Sequence, residues 1–334
     1  MTGRWANIGL AVLVLASTLS GFGLFLVGSG PVWLVAVLHG GLSLGLLALV
    51  PWKHPVVRRG LQRVRPGRGL SVVLTWCLVA ALVTGLAQLV GLTAQSLPVT
   101  TMQLHVGTGL AATALTVAHA VQRPVRLRRA DWGRRTLLRS GAVIAVAGLL
   151  GLAGQAAGAA VDRSGRRRET GSVRLTSDDD ISAVPVTQWL FDTVPDIDPA
   201  AWRLTVATSN GDHRLSGGDL AALGTDRVRS VLDCTGGWWT EQEWSGVLVS
   251  RLLPDARPGD ALLVTSATGY ARRLPLTTDL LLATAVGGQA LSVGHGAPAR
   301  LVVPGRRGYH WVKWVVRVEA VAGPWWAQPP LPLR

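Results

Sequence analysis

Val228-Arg-Ser-Val-Leu-Asp-Cys-Thr-Gly-Gly-Trp-Trp239 is a short β-type run that ends in a cysteine and two glycines. The Cys234 thiol therefore sits at a strand end, on a backbone that can turn sharply and let another group approach closely. A thiolate there is a soft, strong donor for a transition metal, and one suffices when the remaining ligands come from a cofactor. A lone cysteine is more often a small buried hydrophobe, so the stretch has to be read together with a partner.

The partner lies near the C-terminus. His295-Gly-Ala-Pro-Ala-Arg300 and Gly308-Tyr-His-Trp-Val-Lys-Trp314 are separated by a β-type run, Leu301-Val-Val-Pro304, and a glycine-marked turn, Gly305-Arg-Arg-Gly308. Several cationic and donor groups around one loop suit a phosphorylated cofactor, because arginine grips an anion as a bidentate fork and lysine acts as a point charge.

The run from His295 through Lys313 to Glu319, with Cys234 upstream, resembles the signature of the sulfite-oxidase-type molybdopterin domain. The resemblance covers residues 181 to about 320 and includes Asp198-Pro-Ala-Ala-Trp-Arg-Leu-Thr-Val206 and Leu282-Ala-Thr-Ala-Val-Gly-Gly-Gln-Ala-Leu291. It implies that Cys234 ligates molybdenum and that Thr235, His295, Arg300, Trp311, Val312 and Lys313 hold the pterin and its phosphate. It also implies that Tyr270 and Arg272 line the substrate side as catalytic residues, with Arg273, Trp238 and Trp239 nearby. Two departures stand out: apolar Trp189-Leu-Phe191 where sulfite oxidases carry an Arg-Asn-His group, and Thr268 where the family has an aspartate before Gly-Tyr. Only about fifteen residues follow Glu319, so the immunoglobulin-like dimerisation domain of sulfite oxidases is not expected, and a monomeric module is.

Charge divides the chain. Residues 1 to 169 hold 18 Lys+Arg against 3 Asp+Glu, whereas residues 170 to 334 hold 15 against 16, so the net +14 belongs to the first half. Its arginines are clustered between long apolar runs and not interleaved with aromatics, which excludes a nucleic-acid surface and matches membrane topology. Two cysteines, Cys77 inside an apolar run and Cys234, make a disulfide unexpected.

Residues 6–28, 32–50, 70–92, 101–121 and 140–161 are each about long enough to cross a hydrocarbon core of roughly 30 Å as a helix. Lys53, Arg58, Arg59, Arg63, Arg65 and Arg68 lie between the second and third runs, and Arg123, Arg126, Arg128, Arg129, Arg134, Arg135 and Arg139 lie between the fourth and fifth. The loops Ser29 to Pro31 and Thr93 to Thr100 carry no charge. The positive-inside rule then puts the basic loops in the cytoplasm and residues 162–334 outside. Gly133-Arg-Arg-Thr-Leu-Leu-Arg139 resembles a twin-arginine export signal, which suits a domain that must cross a membrane folded around its cofactor. Ala157-Gly-Ala159 is a possible cleavage site.

Ionisable residues inside spans mark functional sites by default. His105 and His119 are fourteen residues apart, close to a whole number of turns and about 21 Å along a helix, so they share a face. His39 matches His105 in depth and His54 matches His119, with Pro51 and Pro55 bracketing His54. This spacing resembles the axial ligands of one or two b-type haems; the bland alternative is hydrogen bonding between helices.

The expected organisation is a four-span domain over residues 1–130, a signal-like fifth span over 131–161, an exposed linker over 162–180 and a mixed α+β molybdopterin-binding domain over 181–334. Strands are expected at Trp202–Ala207, Val228–Leu232, Ala261–Thr265, Ala299–Val303 and Trp311–Val318, and helices at Gly217–Leu223, Ser245–Leu253 and Asp279–Ala285. The expected protein is a multi-pass membrane oxidoreductase doing oxygen-atom transfer, in the reductase direction, on an extracytoplasmic small molecule or protein side chain. It would exchange electrons with the quinone pool or a respiratory partner in the bilayer. The alternative is a membrane-tethered binding or redox-sensing protein that keeps the fold without turnover.

Overall fold

The computed structural model describes residues 3–28, 32–61, 68–92, 99–125, 133–162, 165–175, 181, 184–189, 192–257 and 259–332. Ser29 to Pro31, Arg63, Arg65, the residues 93–98, Arg126, Arg128, Arg129, Leu190 and Phe191 of the sequence reading lie outside them. Two compact units emerge, Met1–Val173 and Arg174–Arg334.

The first unit is helical: α1 (Gly3–Leu26), α2 (Val32–Ala48), α3 (Val50–Leu61), α4 (Arg68–Leu89), α5 (Thr101–Gln122) and α6 (Arg134–Val161). Arg4–Leu26, Arg68–Leu89, Thr101–Gln122 and Arg134–Val161 are each long and apolar enough to cross a membrane, and α2 is a shorter apolar helix of 17 residues. The chain from Val32 onward is interrupted at Leu49, so His54 falls in α3, a separate helix of low hydrophobicity that contains Pro55. The twin-arginine-like stretch forms the first turns of α6, with Gly133 as its N-cap.

Small residues let these helices approach closely. A Cβ on Gly41 would stand 2.4 Å from the Ala147 carbonyl oxygen, and one on Gly151 would stand 2.3 Å from that of Val37. Thus α2 and α6 touch backbone to backbone, the device by which apolar helices associate without a hydrophobic driving force between them.

The stretch expected as a free linker is partly tied down. Arg168 N donates to Ser172 O, Gly171 N donates to Arg168 O, and Gln88 Nε2 on α4 donates to Gly171 O. A polar segment without apolar period can still be fixed by main-chain hydrogen bonds, which no hydrophobic pattern announces. The two-residue strand β1 (Val173–Arg174) marks where one unit ends and the other begins.

The second unit holds β2 (Leu204–Thr208), β3 (Gly211–Leu215), α7 (Gly217–Ala222), β4 (Asp226–Asp233), β5 (Trp238–Leu248), α8 (Val249–Leu252), β6 (Ala261–Ser266), β7 (Ala271–Pro275), β8 (Leu281–Val286), β9 (Gln289–Ala290), β10 (Arg300–Val302) and β11 (Val315–Val321). One sheet runs β4-β5-β8-β10, antiparallel throughout, with β9 on β8. The other runs β3-β2-β11-β6-β7, where only β2 and β11 are parallel. Both contribute to one core: Leu204, Leu262, Val264 and Leu274 from the second sheet meet Leu232, Trp244, Leu282 and Leu301 from the first. Each large apolar side chain buried this way contributes roughly 1.5–3 kcal/mol.

The helix α7 agrees with expectation, and its Ser216 cap forms a capping box with Asp219. Two other expected helices are corrected. Ser245 to Leu248 belongs to β5, and only Val249–Leu252 is helical. Gly246 explains this, because any Cβ there would lie 2.1 Å from Leu282 O, so the backbone is pressed against β8 at a bulge between Ser245 and Gly246. Asp279 to Ala285 is not a helix: Asp279 lies in a turn and strand β8 begins at Leu281; Leu280, Leu281, Leu282 and Ala283 are all buried, and a short continuous apolar run reads the same for a buried strand as for a buried helix. Expected strand Trp311–Val318 begins only at Val315, since Trp311 to Trp314 carries the site described next.

Candidate molybdenum and pterin site

Cys234 follows the last residue of β4. Its N–H donates to Trp238 O at 2.9 Å and its carbonyl accepts from Gly237 N at 3.1 Å, closing a tight turn in which Gly237 has φ 93°. Thr235 and Gly236 form the turn. The sulfur accepts from Gly236 N at 3.3 Å and lies 3.7 Å from Thr187 Oγ1. Burial pushes the thiol up from its ordinary range, against the pull of Gly236 N–H, Thr187 and the Arg307 charge. A buried thiolate therefore needs a cation, and binding a metal would release one proton.

Two residues that the sequence reading passed over hold this turn. Arg307 Nη1 is ion-paired with Asp233, both side chains 2–3% exposed, and Arg307 Nη2 donates to Cys234 O at 3.4 Å. Gly308 lies so close that a Cβ would stand 3.4 Å from Cys234 Cα. Asp233 adjoins the metal-ligand candidate, and Arg307 sits in the Gly305–Gly308 turn; nothing in local periodicity joins residues so far apart.

The basic groups converge. Arg300 Nη1 donates to His295 O at 3.0 Å, and the guanidinium lies 5.1 Å from the Trp244 ring and 5.7 Å from the Trp311 ring. Desolvation lowers Arg300 to about 10, opposed by Cys234, and lowers Lys313 to about 7, aided by Arg300 and opposed by Cys234 and Asp192. Lys313 Nζ donates to Thr187 O at 2.8 Å and Gly294 O at 2.6 Å. Trp314 holds φ 52°, an unusual conformation for a bulky residue, and is pinned by Nε1 to Val293 O at 2.6 Å and N to Gly296 O at 3.3 Å.

Other expected residues are occupied within the protein. His295 Nε2 donates to Val184 O at 3.0 Å, so Nδ1 accepts from Ser292 Oγ at 2.7 Å. Trp311 Nε1 donates to Arg306 O at 3.2 Å, and Val312 is fully buried with its carbonyl taken by Leu301 N. The Tyr270 hydroxyl donates to Tyr309 O; Arg272 is buried, with Nη1 on Pro329 O at 3.2 Å and its guanidinium 5.4 Å from the Tyr309 ring. Both thus brace the Tyr309–His310 turn. Arg273 is bound through Gln328 and Ala322.

The two departures acquire a structural meaning. Trp189 packs on Tyr270 and Tyr309 at 6.5 and 6.1 Å and donates to Pro332 O at 3.1 Å. Thr268 Oγ1 donates to Asp192 Oδ2 at 3.0 Å, so a carboxylate lies beside position 268, supplied by a residue elsewhere in the chain.

Whether this arrangement fits a phosphorylated pterin can be tested on its leftover charges. Among the described residues no carboxylate pairs with Arg300 or Lys313, and Arg300 Nε, Arg272 Nε and His310 Nδ1 are buried without a hydrogen-bond partner. Buried cations without counter-charge are costly, and an anionic ligand removes the cost; the residues fit the group. Cys234 must lose a proton to bind the metal, and Lys313, lowered to about 7, must hold one to bind the anion. The two linkages cancel above pH 7, so cofactor retention is expected to level off there and to fall about tenfold per unit below it, where only the thiol proton is displaced. Molybdenum retained after dialysis between pH 6 and 8.5 checks this, and Lys313→Gln should lower retention and remove the plateau.

The histidines of the first unit form a separate arrangement. His39 and His105 come together with ring centroids 5.8 Å apart, whereas His119 Nδ1 lies 3.4 Å from Ser71 Oγ, and no ring contact joins His54 to His119 among the described residues.

Comparison with known proteins bears on the second unit. Residues 191–327 match the family model described as oxidoreductase molybdopterin binding domain. Mitochondrial sulfite oxidase of Rattus norvegicus is 30% identical over 166 residues, 38% of this chain and 30% of the relative. That of Homo sapiens is 29% identical with the same shares. The chain thus spans about a third of the length of these curated relatives. The crystal structure of the sulfane dehydrogenase SoxCD from Paracoccus pantotrophus aligns at 28% identity over 38% of this chain and 40% of that one, with a TM-score of 0.35.

Proposed function

We propose, from a second unit that carries a sulfite-oxidase-like molybdopterin-binding domain, that this chain is a membrane-anchored molybdenum-dependent oxidoreductase. It acts by oxygen-atom transfer on an extracytoplasmic substrate, a small molecule or an oxidised protein side chain, in the reductase direction. Its first unit spans the bilayer, with the basic loops cytoplasmic, and exchanges electrons with quinone through b-type haem. The observation that carries the reading is the buried Cys234 sulfur within the electrostatic reach of Arg300 and Lys313, neither of which is ion-paired with a carboxylate among the described residues.

When bound, the molybdenum–molybdopterin group supplies two-electron oxygen-atom chemistry. Cys234 would provide the protein's sulfur ligand. Arg300 and Lys313 would take the phosphate, with Thr235, His295, Trp311 and Val312 shaping the pterin's surroundings. Tyr270 and Arg272 would set the position of Tyr309 and His310 on the substrate side. Burial and the charges of Arg272 and Arg306 lower His310 to about 3, so it stays neutral and holds a proton on one ring nitrogen through the physiological range. The four long apolar helices and α2 support the membrane reading, and the loop arginines support the orientation.

The test is elemental analysis of full-length protein purified in detergent from cells able to build the cofactor. About one molybdenum per chain is expected. A folded protein free of molybdenum overturns the proposal and favours a binding or redox-sensing role.

A further inference from the structure

The first unit contains the same hairpin twice. Leu38-His39-Gly40-Gly41-Leu42-Ser43-Leu44 in α2 and Leu104-His105-Val106-Gly107-Thr108-Gly109-Leu110 in α5 share the pattern Leu-His-x-Gly-x-x-Leu. Each histidine faces the preceding long helix in the same way. His39 Nδ1 lies 2.9 Å from Ser17 O on α1, and His105 Nδ1 lies 2.9 Å from Ala81 O on α4. One turn further on, a Cβ on Gly21 would stand 2.9 Å from His39 Cε1, and a Cβ on Gly85 would stand 2.9 Å from His105 Cε1. A constant offset carries Ser17 and Gly21 onto Ala81 and Gly85, and a second constant offset carries His39 onto His105.

This geometry decides the tautomer. A carbonyl only accepts, so both Nδ1 atoms carry the proton and both Nε2 atoms keep a lone pair, the state in which a neighbouring carbonyl orients a metal-binding imidazole. Glycine at 21 and 85 gives each ring its seat. The centroid separation of 5.8 Å is close to the roughly 6 Å that two imidazoles need on opposite sides of one metal ion, given metal–nitrogen bonds of ~2 Å. Among the described residues no third His, Cys, Asp or Glu joins them, so a bare ion would lack ligands. A planar tetrapyrrole brings four nitrogens of its own, and the chain has no Cys-x-x-Cys-His to bind one covalently.

We infer that His39 and His105, contributed by two copies of one hairpin, are the axial ligands of a single non-covalent haem. This rests on the electron-exchange reading above and specifies its intramembrane site. It also limits the number to one. The offset that carries His39 onto His105 carries Lys53 onto His119, and the one that carries Ser17 onto Ala81 carries Asn7 onto Ser71. The second layer of the repeat is accordingly Lys53 Nζ on Asn7 Oδ1 at 2.6 Å in one copy and His119 on Ser71 in the other, a polar bond in each and no histidine pair.

Full-length protein from haem-supplied cells should give one haem per chain by pyridine extraction and a reducible low-spin absorbance band. His39→Ala and His105→Ala should each lose that band, and His119→Ala should keep it. Molybdenum is measured on the same samples: haem lost with molybdenum kept concerns this site alone, and molybdenum absent with haem present concerns only the catalytic proposal. Should an alanine variant fail to accumulate, His39→Met keeps a ligand and should raise the haem reduction potential, as methionine ligation does. A haem-free wild type, a band that survives both alanine changes, a band lost in His119→Ala, or an unmoved potential in His39→Met overturns the inference.

Discussion

Cys234→Ser should leave the second unit folded and reduce molybdenum-dependent turnover to below about a thousandth of the wild-type rate, a barrier increase of roughly 4 kcal/mol or more. Folding survives because serine is smaller by little and its hydroxyl can accept from Gly236 N and meet Thr187 Oγ1 as the sulfur does. Turnover fails because an alkoxide is not available at neutral pH and a hydroxyl is a poor ligand for a metal that selects soft thiolate. Urea unfolding curves and steady-state rates with an artificial electron donor, taken on the same preparation, read both halves. Undiminished turnover would remove Cys234 from the site.

Arg307→Met is expected to have the largest effect on stability, costing about 3–5 kcal/mol, because it removes the guanidinium that is ion-paired with the Asp233 carboxylate at a place with 3% exposure. The same change releases Cys234 O from Arg307 Nη2, so the Cys234 turn should loosen with it. Replacing both members, Asp233→Leu with Arg307→Met, removes the stranded charge and should recover most of the lost stability without restoring turnover. Denaturant midpoints of the single and double variants measure this, and a single-variant loss under about 1 kcal/mol would show that the pair is not what fastens the turn.

The legible part of the site was whatever is carried by residue type at short range. Cys234 before two glycines, and His295, Arg300 and Lys313 around one loop, are local patterns, and the two departures at Trp189 and Thr268 were visible as residue identities. Asp233–Arg307, Thr187 beside the sulfur and Asp192 behind Thr268 were not, since each joins segments distant in sequence with no periodicity to link them. The same distinction explains the two misread helices. Leu280 to Ala283 is a continuous apolar run, which fits either period, and Gly246 acquires its meaning only from Leu282 across the sheet.

By itself the sequence determined that the first half is a set of apolar helices bounded by arginine clusters and that the second is a mixed α+β unit with a strand-end cysteine and a group of cations, because hydropathy, charge and residue chemistry are properties of the linear chain. The tertiary structure alone decided which of those groups meet: that His39 faces His105, that Tyr270 and Arg272 brace a turn, and that, among the described residues, neither buried Arg300 nor half-buried Lys313 is ion-paired with a carboxylate. The physical reason is that burial and pairing set the free energy of a charge or a lone pair, and both depend on neighbours that only packing brings within reach.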